Sequence, residues 1–272
     1  MKLRKISFKA LVLGYALAQS PLFIAHAHAA DNVDMAPAVA NALNEVIAQM
    51  DQQQLDAAAA TMQSLRERLQ ADMSDYEEFR TLQLSATLNT LRQSLDEAIA
   101  DYEAILAMNA LNDADRLGTT KLLAELYLQQ RDWNKALEHL LSANELKQDD
   151  TEMLFRIAYA YGQTGEAAKG IPFMERRVEL AGALAREDDY NNLALLYIQA
   201  GNEAKAIETY EKLLERVPDT ANKEAVSSNL AALYIKVGNI AKAQSTLRML
   251  LRDYPSSSQA PTWRQSLTAI GG

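Results

Sequence analysis

Few side chains in this sequence are suited to acid–base, nucleophilic or metal chemistry. The chain contains no cysteine and only three histidines, His26, His28 and His139. Nucleophilic, metal and phosphate sites are usually marked by a thiol, a pair of histidines in one motif or a glycine-rich loop. No thiol and no glycine-rich phosphate loop occurs here, and His26 and His28 lie in an amino-terminal segment that is predicted to be removed. We therefore predict that the protein is not an enzyme and that it has no catalytic site, no metal site and no cofactor.

Two pairs of adjacent carboxylates, Asp149–Asp150 and Asp188–Asp189, are the remaining candidates for chemistry. Both pairs lie at predicted junctions between helices, where an acidic side chain commonly caps the following helix and interacts favourably with its dipole. Capping is therefore the favoured interpretation, and metal binding at Asp149–Asp150 is the alternative. His139 lies in a predicted helix and is interpreted as a structural or solvent-exposed residue.

The amino terminus has the layout of a secretory signal peptide. Its basic start consists of Lys2, Arg4, Lys5 and Lys9. An apolar run from Ala10 to Ile24 follows, and Ala27-His28-Ala29 then provides small residues for cleavage. This run is shorter than the roughly 20 apolar residues that a transmembrane helix needs. We predict cleavage of residues 1–29, a short flexible lead over 30–36 and location in the periplasm of a Gram-negative bacterium; a retained membrane anchor is the alternative.

The predicted mature chain is strongly acidic. The signal segment carries four basic residues and no acidic residue, so its removal changes the formal net charge from −9 to −13. Such a surface disfavours electrostatic binding to nucleic acid or to anionic lipid. We therefore expect no nucleic acid partner and no stable membrane anchor after cleavage.

Beyond the signal segment, tyrosine, glycine and alanine recur in a fixed order. Four tyrosines are spaced 34, 36 and 37 residues apart. Each is followed four residues later by Gly or Arg and nine residues later by Ala or Gly: Tyr127–Arg131–Ala136, Tyr161–Gly165–Gly170, Tyr197–Gly201–Ala206 and Tyr234–Gly238–Ala243. A period of about 34 residues is typical of stacked helix–turn–helix units. In such a unit the glycine ends the first helix in a left-handed conformation, and the small residue lets the two helices cross closely.

The pattern Leu/Ile-Ala-x-x-Tyr-x-x-x-Gly-x-x-x-x-Ala, closed by Pro218 and Pro255 in the last two units, resembles the tetratricopeptide repeat. The resemblance implies an all-α fold, a right-handed α-solenoid of about five to six helix–turn–helix units after the signal peptide. Repeats are predicted to start near Phe79, Leu117, Thr151, Glu187 and Glu224. A degenerate helical pair is predicted over 37–78, the repeat array over 79–255, and a polar break with a capping helix that contains Trp263 over 256–272.

In tetratricopeptide arrays the first helices line a concave groove, and the resemblance implies which side chains face it. Here these residues are Lys121, Glu125, Phe155, Tyr159, Asn191, Asn192, Gln199, Ser228, Asn229 and Lys236. Asn192 and Asn229 share a position where family members often bind the backbone of a ligand peptide; a common consensus residue is the alternative. The scattered basic residues do not reproduce the clamp that reads a carboxyl-terminal carboxylate in some members. We expect a protein partner, held as an extended segment or a helix by apolar and amide contacts.

One repeat departs from the pattern, because it has Gly170 in place of alanine and Pro172 two residues later. Proline is tolerated in the first turn of a helix, so the second helix of this repeat is predicted to start late or to bend. Two interpretations are open. The site is tolerant of sequence drift, or it changes the curvature of the array and widens the groove beside Phe155 and Tyr159.

The order of the amino-terminal helices is similar to that of periplasmic tetratricopeptide proteins that accompany TonB/ExbB/ExbD systems. The segments that carry this likeness are Ala42-Leu43-Asn44, Leu55-Asp56-Ala57-Ala58, Met73-Ser74-Asp75-Tyr76-Glu77 and Ala98-Ile99-Ala100-Asp101-Tyr102-Glu103. The likeness implies a scaffold or adaptor that is accessory to a TonB-type transport system. A periplasmic chaperone or assembly factor is the main alternative, and a peptidoglycan- or carbohydrate-associated module is another. The sequence does not indicate the oligomeric state.

Overall fold

The computed structural model describes residues 35–69, 72–216 and 222–271, which form thirteen α-helices and one short 3₁₀ helix, with no strand among them. The predicted signal peptide and most of the predicted lead lie outside the described residues. The helices are α1 Pro37–Asp51, α2 Leu55–Leu69, α3 Asp75–Leu91, α4 Leu95–Ala107, α5 Asp113–Gln130, α6 Trp133–Leu146, α7 Thr151–Gln163, α8 Ala167–Ala181, α9 Glu187–Gln199, α10 Glu203–Arg216, α11 Lys223–Lys236, α12 Ile240–Asp253 and α13 Ala260–Ala269. The 3₁₀ helix Gly182–Leu184 lies between α8 and α9.

Consecutive helices pair into hairpins from α1–α2 to α11–α12, and α13 packs against α12. The turn of every described hairpin contains one residue with a left-handed backbone, with φ between 60 and 81°. These residues are Gln53, Gln93, Arg131, Gly165, Gly201 and Gly238. The prediction that glycine ends the first helix in a left-handed conformation is therefore confirmed, and Arg131 adopts the same conformation.

The chain divides into two compact units between Leu146 and Lys147. The amino-terminal unit contains α1–α6, and the carboxy-terminal unit contains α7–α13. Within each unit the second helix of one hairpin packs against the first helix of the next. Each hairpin thereby buries its apolar face on its neighbour, as the all-α repeat fold requires.

Two helices of the amino-terminal unit, α3 and α5, begin four residues before the repeat starts predicted near Phe79 and Leu117. Ser74 caps α3 in a capping box, in which the carboxylate of Glu77 accepts the Ser74 backbone N–H at 2.9 Å. Asn112 caps α5 by accepting a backbone N–H of the first turn at 2.9 Å. These local caps extend both helices beyond the segment that the repeat pattern marks.

The amino-terminal unit also contains a buried carboxylate, Asp101 of α4. Arg66 Nη1 donates to its Oδ1 atom at 2.9 Å, and Ser85 Oγ and Asn89 Nδ2 donate to its Oδ2 atom at 2.6 and 3.0 Å. Asp101 is thus bonded to one cation and two neutral donors. The contacts connect α2, α3 and α4.

The core of the carboxy-terminal unit follows the repeated tyrosine and alanine positions. Tyr197 and Tyr234 are buried, and Ala206 and Ala243 have no exposed surface. Both alanines belong to one apolar cluster that also contains Tyr210. The small residues therefore lie where the sequence predicted close contact between the helices of a hairpin.

Gly170 of α8 lies against α7, and the two helices are so close at this point that a side chain is excluded. A Cβ atom at this position would lie 2.8 Å from the carbonyl oxygen of Ala158 and 3.1 Å from Tyr161 Cβ. The site is therefore intolerant of larger residues, in contrast to the interpretation of sequence drift. The predicted late start of the helix is also wrong, because α8 begins at Ala167 and Pro172 lies inside it, where it removes one helical hydrogen bond.

Helix α13 covers the end of the last hairpin. Trp263 is buried and packs in a cluster with Ala231 and Leu247, and Gln244 Nε2 donates to the carbonyl of Ile270 at 3.0 Å. A helix in this place shields an apolar face that the last repeat would otherwise expose.

Candidate functional site

The predicted groove residues of the carboxy-terminal unit lie on α7, α9 and α11, the first helices of its hairpins. Helices α7 and α9 approach at Gly162, where a Cβ atom would lie 3.2 Å from both Gln199 Oε1 and Leu196 Cδ2. Asn222 Nδ2 donates to Glu187 Oε2 at 3.2 Å and so connects the beginnings of α9 and α11. We call the surface formed by these three helices the first-helix surface.

Phe155 and Tyr159 form an aromatic pair on α7. Their ring centroids lie 6.2 Å apart with planes at 26°, and both side chains are half-buried. A spacing of four residues places them on the same face of the helix. The guanidinium of Arg177 lies 5.2 Å from the Phe155 ring centroid, within the range of a cation–π contact. The pair offers apolar area on the first-helix surface that remains partly accessible.

A buried ion pair fixes the helices around this aromatic pair. Arg177 Nε donates to Asp189 Oδ1 at 2.7 Å, and the two side chains are only 7% and 4% exposed. Arg177 also donates to the carbonyl of Thr151 in the first turn of α7. The contacts connect α7, α8 and the start of α9. The sequence does not reveal these contacts, because in the run Arg176-Arg177 nothing distinguishes a buried cation from an exposed one.

Asn192 and Asn229, the predicted peptide-binding asparagines, both hydrogen-bond within the unit. Asn192 Nδ2 donates to the carbonyl of Asp188 at 2.7 Å, and Asn229 Nδ2 donates to Tyr210 Oη at 3.2 Å. An amide has two N–H donors and one carbonyl oxygen, so each contact uses part of the side chain. Recognition of a ligand backbone by these residues stays a prediction.

Two other predicted groove residues, Ser228 and Lys236, have contacts with neighbouring elements. Ser228 Oγ accepts a hydrogen bond from Trp263 Nε1 at 3.0 Å, and Lys236 forms an ion pair with Glu203. Helix α13 therefore already contacts the first-helix surface at Ser228. A ligand at this position would have to displace the tryptophan or lie beside it.

The remaining predicted residues are divided between the units. Asn191 is half-buried and Gln199 is exposed, both on α9, whereas Lys121 and Glu125 are half-buried on α5 in the amino-terminal unit. The residues that the structure assembles in one place are thus those of α7, α9 and α11.

The carboxylates at the start of α7 have defined structural roles. Asp150 caps the helix by accepting the backbone N–H groups of Glu152 and Met153, both at 3.2 Å, as the capping interpretation predicts. Asp149 accepts two hydrogen bonds from Arg176, at 2.8 and 2.9 Å. This guanidinium holds the pKa of Asp149 below its ordinary range.

His139 of the amino-terminal unit stacks on Tyr127, with ring centroids 5.4 Å apart and planes at 3°. Burial lowers the pKa of His139, which favours the neutral form of the ring. The neutral imidazole therefore packs as an aromatic ring, in agreement with the structural interpretation.

Three of the recurring tyrosines are bonded to a glutamate in the second helix of the preceding hairpin. The pairs are Tyr127–Glu103, Tyr197–Glu175 and Tyr234–Glu211. In each pair the phenol donates to the carboxylate, and burial together with this carboxylate raises the tyrosine pKa. The repeat pattern did not predict these bonds. Each glutamate precedes its tyrosine by 22 to 24 residues, and this recurring spacing is the sequence signal that could have indicated them.

Comparison with known proteins supports the assignment of the repeat. Two family models, both described as tetratricopeptide repeat, match residues 119–154 and 197–262. The crystal structure of the carboxy-terminal part of a tetratricopeptide repeat-containing protein from Cytophaga hutchinsonii is similar to this chain, with a TM-score of 0.63 at 14% identity. The alignment covers 94% of this chain and 97% of that chain. No curated protein sequence matches the chain.

Two further solved structures share the fold. MamA has a TM-score of 0.54 at 22% identity and covers 65% of this chain and 91% of its own. YrrB, described as a tetratricopeptide repeat protein with an unusual peptide-binding site, has a TM-score of 0.55 at 14% identity and covers 75% and 96%. At these identities the likeness concerns the fold.

The hairpins and the first-helix surface define an α-helical repeat protein. Over residues 119–154 and 197–262, the particular repeat is the tetratricopeptide repeat. Tetratricopeptide repeats typically form scaffolds for protein interaction rather than catalytic folds. Among the described helices, none combines the length and the apolar character needed to cross a membrane.

Proposed function

We propose that this protein is a scaffold or adaptor that binds a protein partner through the first-helix surface of its carboxy-terminal unit. The aromatic pair Phe155–Tyr159 carries the proposal, because it is half-buried and is held by a buried ion pair between two other helices. Aromatic rings on rigid helices provide large contact area at a small entropic cost. The ligand is an extended segment whose apolar side chains contact this pair, with its backbone near Asn191 and Asn192 on α9.

We further propose that the protein acts in the periplasm and not as an enzyme. The layout of residues 1–29 as a signal peptide supports export. The partner is proposed to be a component of a TonB-type energy-transduction system. The likeness of the amino-terminal helices to periplasmic proteins that accompany such systems supports this partner.

Photocrosslinking in living cells tests the binding surface. A photoreactive amino acid at position 159 lies on the first-helix surface, whereas the same group at Lys205 lies on an exposed part of α10, a second helix. We expect one discrete adduct from position 159 that position 205 does not give. Equal adducts from both positions would contradict the proposed surface.

The identity of the crosslinked protein separates the possible roles. A single TonB-system component supports the adaptor. Many unrelated exported proteins support a chaperone or assembly factor instead, and attachment to cell-wall polymer supports a peptidoglycan-associated module. Osmotic-shock fractionation with intact-mass measurement tests the location independently, since a cytoplasmic protein that retains residues 1–29 would contradict export.

A further inference from the structure

Methionine is concentrated at one contact of the amino-terminal unit. Met62 is buried in the small core that the first hairpin forms with α3, and Met35, Met50 and Met73 are half-buried and pack against that core. The apolar residues they meet there include Val46, Leu65, Leu84 and Leu88. Four of the nine methionines of the chain thus lie at the attachment of one hairpin, so oxidation of thioethers would act on this attachment.

We propose that Met35, Met50 and Met73 form an oxidation site that controls how firmly the α1–α2 hairpin is attached to α3. The reactant is a two-electron oxidant such as hydrogen peroxide. The thioether sulfur attacks one peroxide oxygen, the O–O bond breaks and a sulfoxide S–O bond forms. After proton transfer water leaves, so that the sulfur has lost two electrons and the peroxide has gained them.

The sulfoxide is unfavourable at this contact, because a polar group in an apolar environment needs a hydrogen-bond partner. Methionine fills such contacts through its flexible and polarizable thioether, and oxidation makes the same side chain polar and stiffer. At Met73 the sulfur already accepts a bond from the buried hydroxyl of Thr81 of α3 at 3.7 Å, so oxidation would change an existing contact with that helix.

The first hairpin has few polar contacts that could keep it in place after oxidation. The Ala36 backbone N–H donates to Glu77 Oε1 at 2.7 Å, and Arg66 contacts Asp101 at 2.9 Å and Ser85 at 3.4 Å. The exposed Asp56 of α2 pairs with Arg92 at 3.3 Å. We therefore expect the hairpin to loosen on oxidation while remaining tethered. Loosening would expose apolar side chains of α3 that include Leu84 and Leu88.

The carboxy-terminal unit provides internal controls. Met153 and Met174 are only 1% and 0% exposed, so an oxidant reaches them slowly as long as their unit stays folded. Met249 is half-buried in α12 and reports oxidation at an accessible sulfur away from the first hairpin.

The test is a peroxide titration of the mature chain, with peptide mass spectrometry to locate the sulfoxides and hydrogen exchange to follow each helix. We expect sulfoxides at Met35, Met50 and Met73 before Met153 and Met174. Amide exchange over α1 and α2 should then become about tenfold faster, with α9 and α10 unchanged. Methionine sulfoxide reductases should restore slow exchange.

A variant with Met35→Leu, Met50→Leu and Met73→Leu keeps the side-chain volume and cannot be oxidised at the site. It should match the untreated wild type in helicity and exchange, and should stay slow after the same peroxide dose. In the control variant Met249→Leu, peroxide should make amide exchange over α1 and α2 faster, as it does in the wild type. Unchanged exchange in oxidised wild type, equal acceleration in the triple variant, or earlier oxidation of Met153 and Met174 would overturn the proposal.

Discussion

The two units build the same hairpin turn from different residues. The amino-terminal unit uses Gln53, Gln93 and Arg131 at the left-handed position, and the carboxy-terminal unit uses Gly165, Gly201 and Gly238. A residue with a side chain is disfavoured in this conformation by about 1–2 kcal/mol, whereas glycine adopts it readily. The turn therefore forms even where no glycine occurs. Packing between the paired helices, rather than the turn residue alone, imposes its shape.

The units also differ in how they bury charge. Asp101 of the amino-terminal unit has a cation partner, Arg66, whose side chain is 35% exposed, and is bonded to two neutral donors as well. Asp189 of the carboxy-terminal unit is paired with Arg177, and both side chains are enclosed. Water and neutral donors can compensate for a lost cation in the first case. Asp189 also accepts the Arg186 backbone N–H at 2.9 Å, but Arg177 is enclosed and water has little access to its place. We therefore expect Asp189 to depend more on its arginine than Asp101 does.

The largest predicted effect tests this difference in buried charge. Arg177→Met removes the enclosed cation of the buried Asp189, which then keeps the Arg186 backbone N–H at 2.9 Å and the exposed Arg186 guanidinium at 4.0 Å. The substitution should lower the free energy of unfolding of the carboxy-terminal unit by about 3–5 kcal/mol. Arg66→Met should cost about 1–3 kcal/mol in the amino-terminal unit, because other donors remain. Urea denaturation combined with hydrogen exchange of each unit measures both. Equal losses would show that the two centres are equivalent.

A second comparison concerns two helical glycines, Gly170 of α8 and Gly118 of α5. Gly170→Ala brings a Cβ atom against backbone at 2.8 Å and should destabilise the carboxy-terminal unit by about 1–3 kcal/mol. Gly118 has no neighbouring atom within 4 Å of an added Cβ, so Gly118→Ala should stabilise the amino-terminal unit by about 0.5–1 kcal/mol. Thermal unfolding of the single variants shows whether each substitution stabilises or destabilises its unit. If Gly170→Ala left the stability unchanged, the close-contact explanation would be refuted.

A third pair of variants changes one left-handed turn residue in each unit. Gly201→Ala places a side chain at φ of 73°, with no steric neighbour, and should cost about 1 kcal/mol. Arg131→Gly should gain about 0.5 kcal/mol, because relief of the left-handed strain is partly offset by a more flexible unfolded chain. Chemical denaturation resolves the difference. A loss at Arg131→Gly would mean that the arginine side chain itself stabilises the turn.

The smallest effects concern acid stability. Backbone hydrogen bonds from Ser74 and Ala36 lower the pKa of Glu77 from an ordinary value of 4.5, and the ion pair with Lys242 lowers the pKa of Glu211. A carboxylate with a lowered folded-state pKa stabilises the protein above its ordinary pKa, and this stabilisation is lost as the pH falls through the lowered value. Glu77→Gln and Glu211→Gln should each flatten the fall in stability below about pH 5.

Salt should separate these two carboxylates. Concentrated salt screens the half-exposed pair of Glu211 and Lys242, whose side chains are 41% and 53% exposed, but hardly affects the backbone bonds of Glu77. At about 1 M salt, Glu77→Gln should flatten the pH profile as much as at low salt. The effect of Glu211→Gln should become smaller, and the part that remains is due to the hydrogen bond from Tyr234. Profiles that respond equally to salt would contradict the assigned causes.

Much of the fold could be read from the sequence, because its signals are local and repeated. The spacing of the tyrosines predicted the hairpins, and Thr151 and Glu187 begin helices at their predicted positions. The pattern did not place the starts of α3 and α5, since Ser74 and Asn112 cap these helices with side chains outside the repeat pattern. The late start predicted for α8 is wrong, because the helix begins at Ala167 and contains Pro172 in its interior.

The candidate site was predictable in part. Position in the repeat placed Phe155 and Tyr159 on one helix face, since both follow from the period of the helix. The contact of Ser228 with Trp263 spans 35 residues, and the repeat pattern contains no information on where the last helix packs. The interactions of Asn192 and Asn229 depend on which acceptor lies within reach, and the sequence does not specify those acceptors.

By itself, the sequence determined the repeat, the left-handed turns and the small residues at helix crossings, because each depends on neighbours at a fixed spacing along the chain. It also contains the signal-peptide layout from which export is predicted, and the acidic charge that disfavours nucleic acid as a partner. Only the tertiary structure decided that Arg177 and Asp189 are buried together and that Gly170 admits no side chain. It also decided that four methionines meet at one hairpin. The physical reason is that burial and pairing depend on which surfaces of different helices meet, and residues of the same type are equivalent in sequence until those surfaces are in contact.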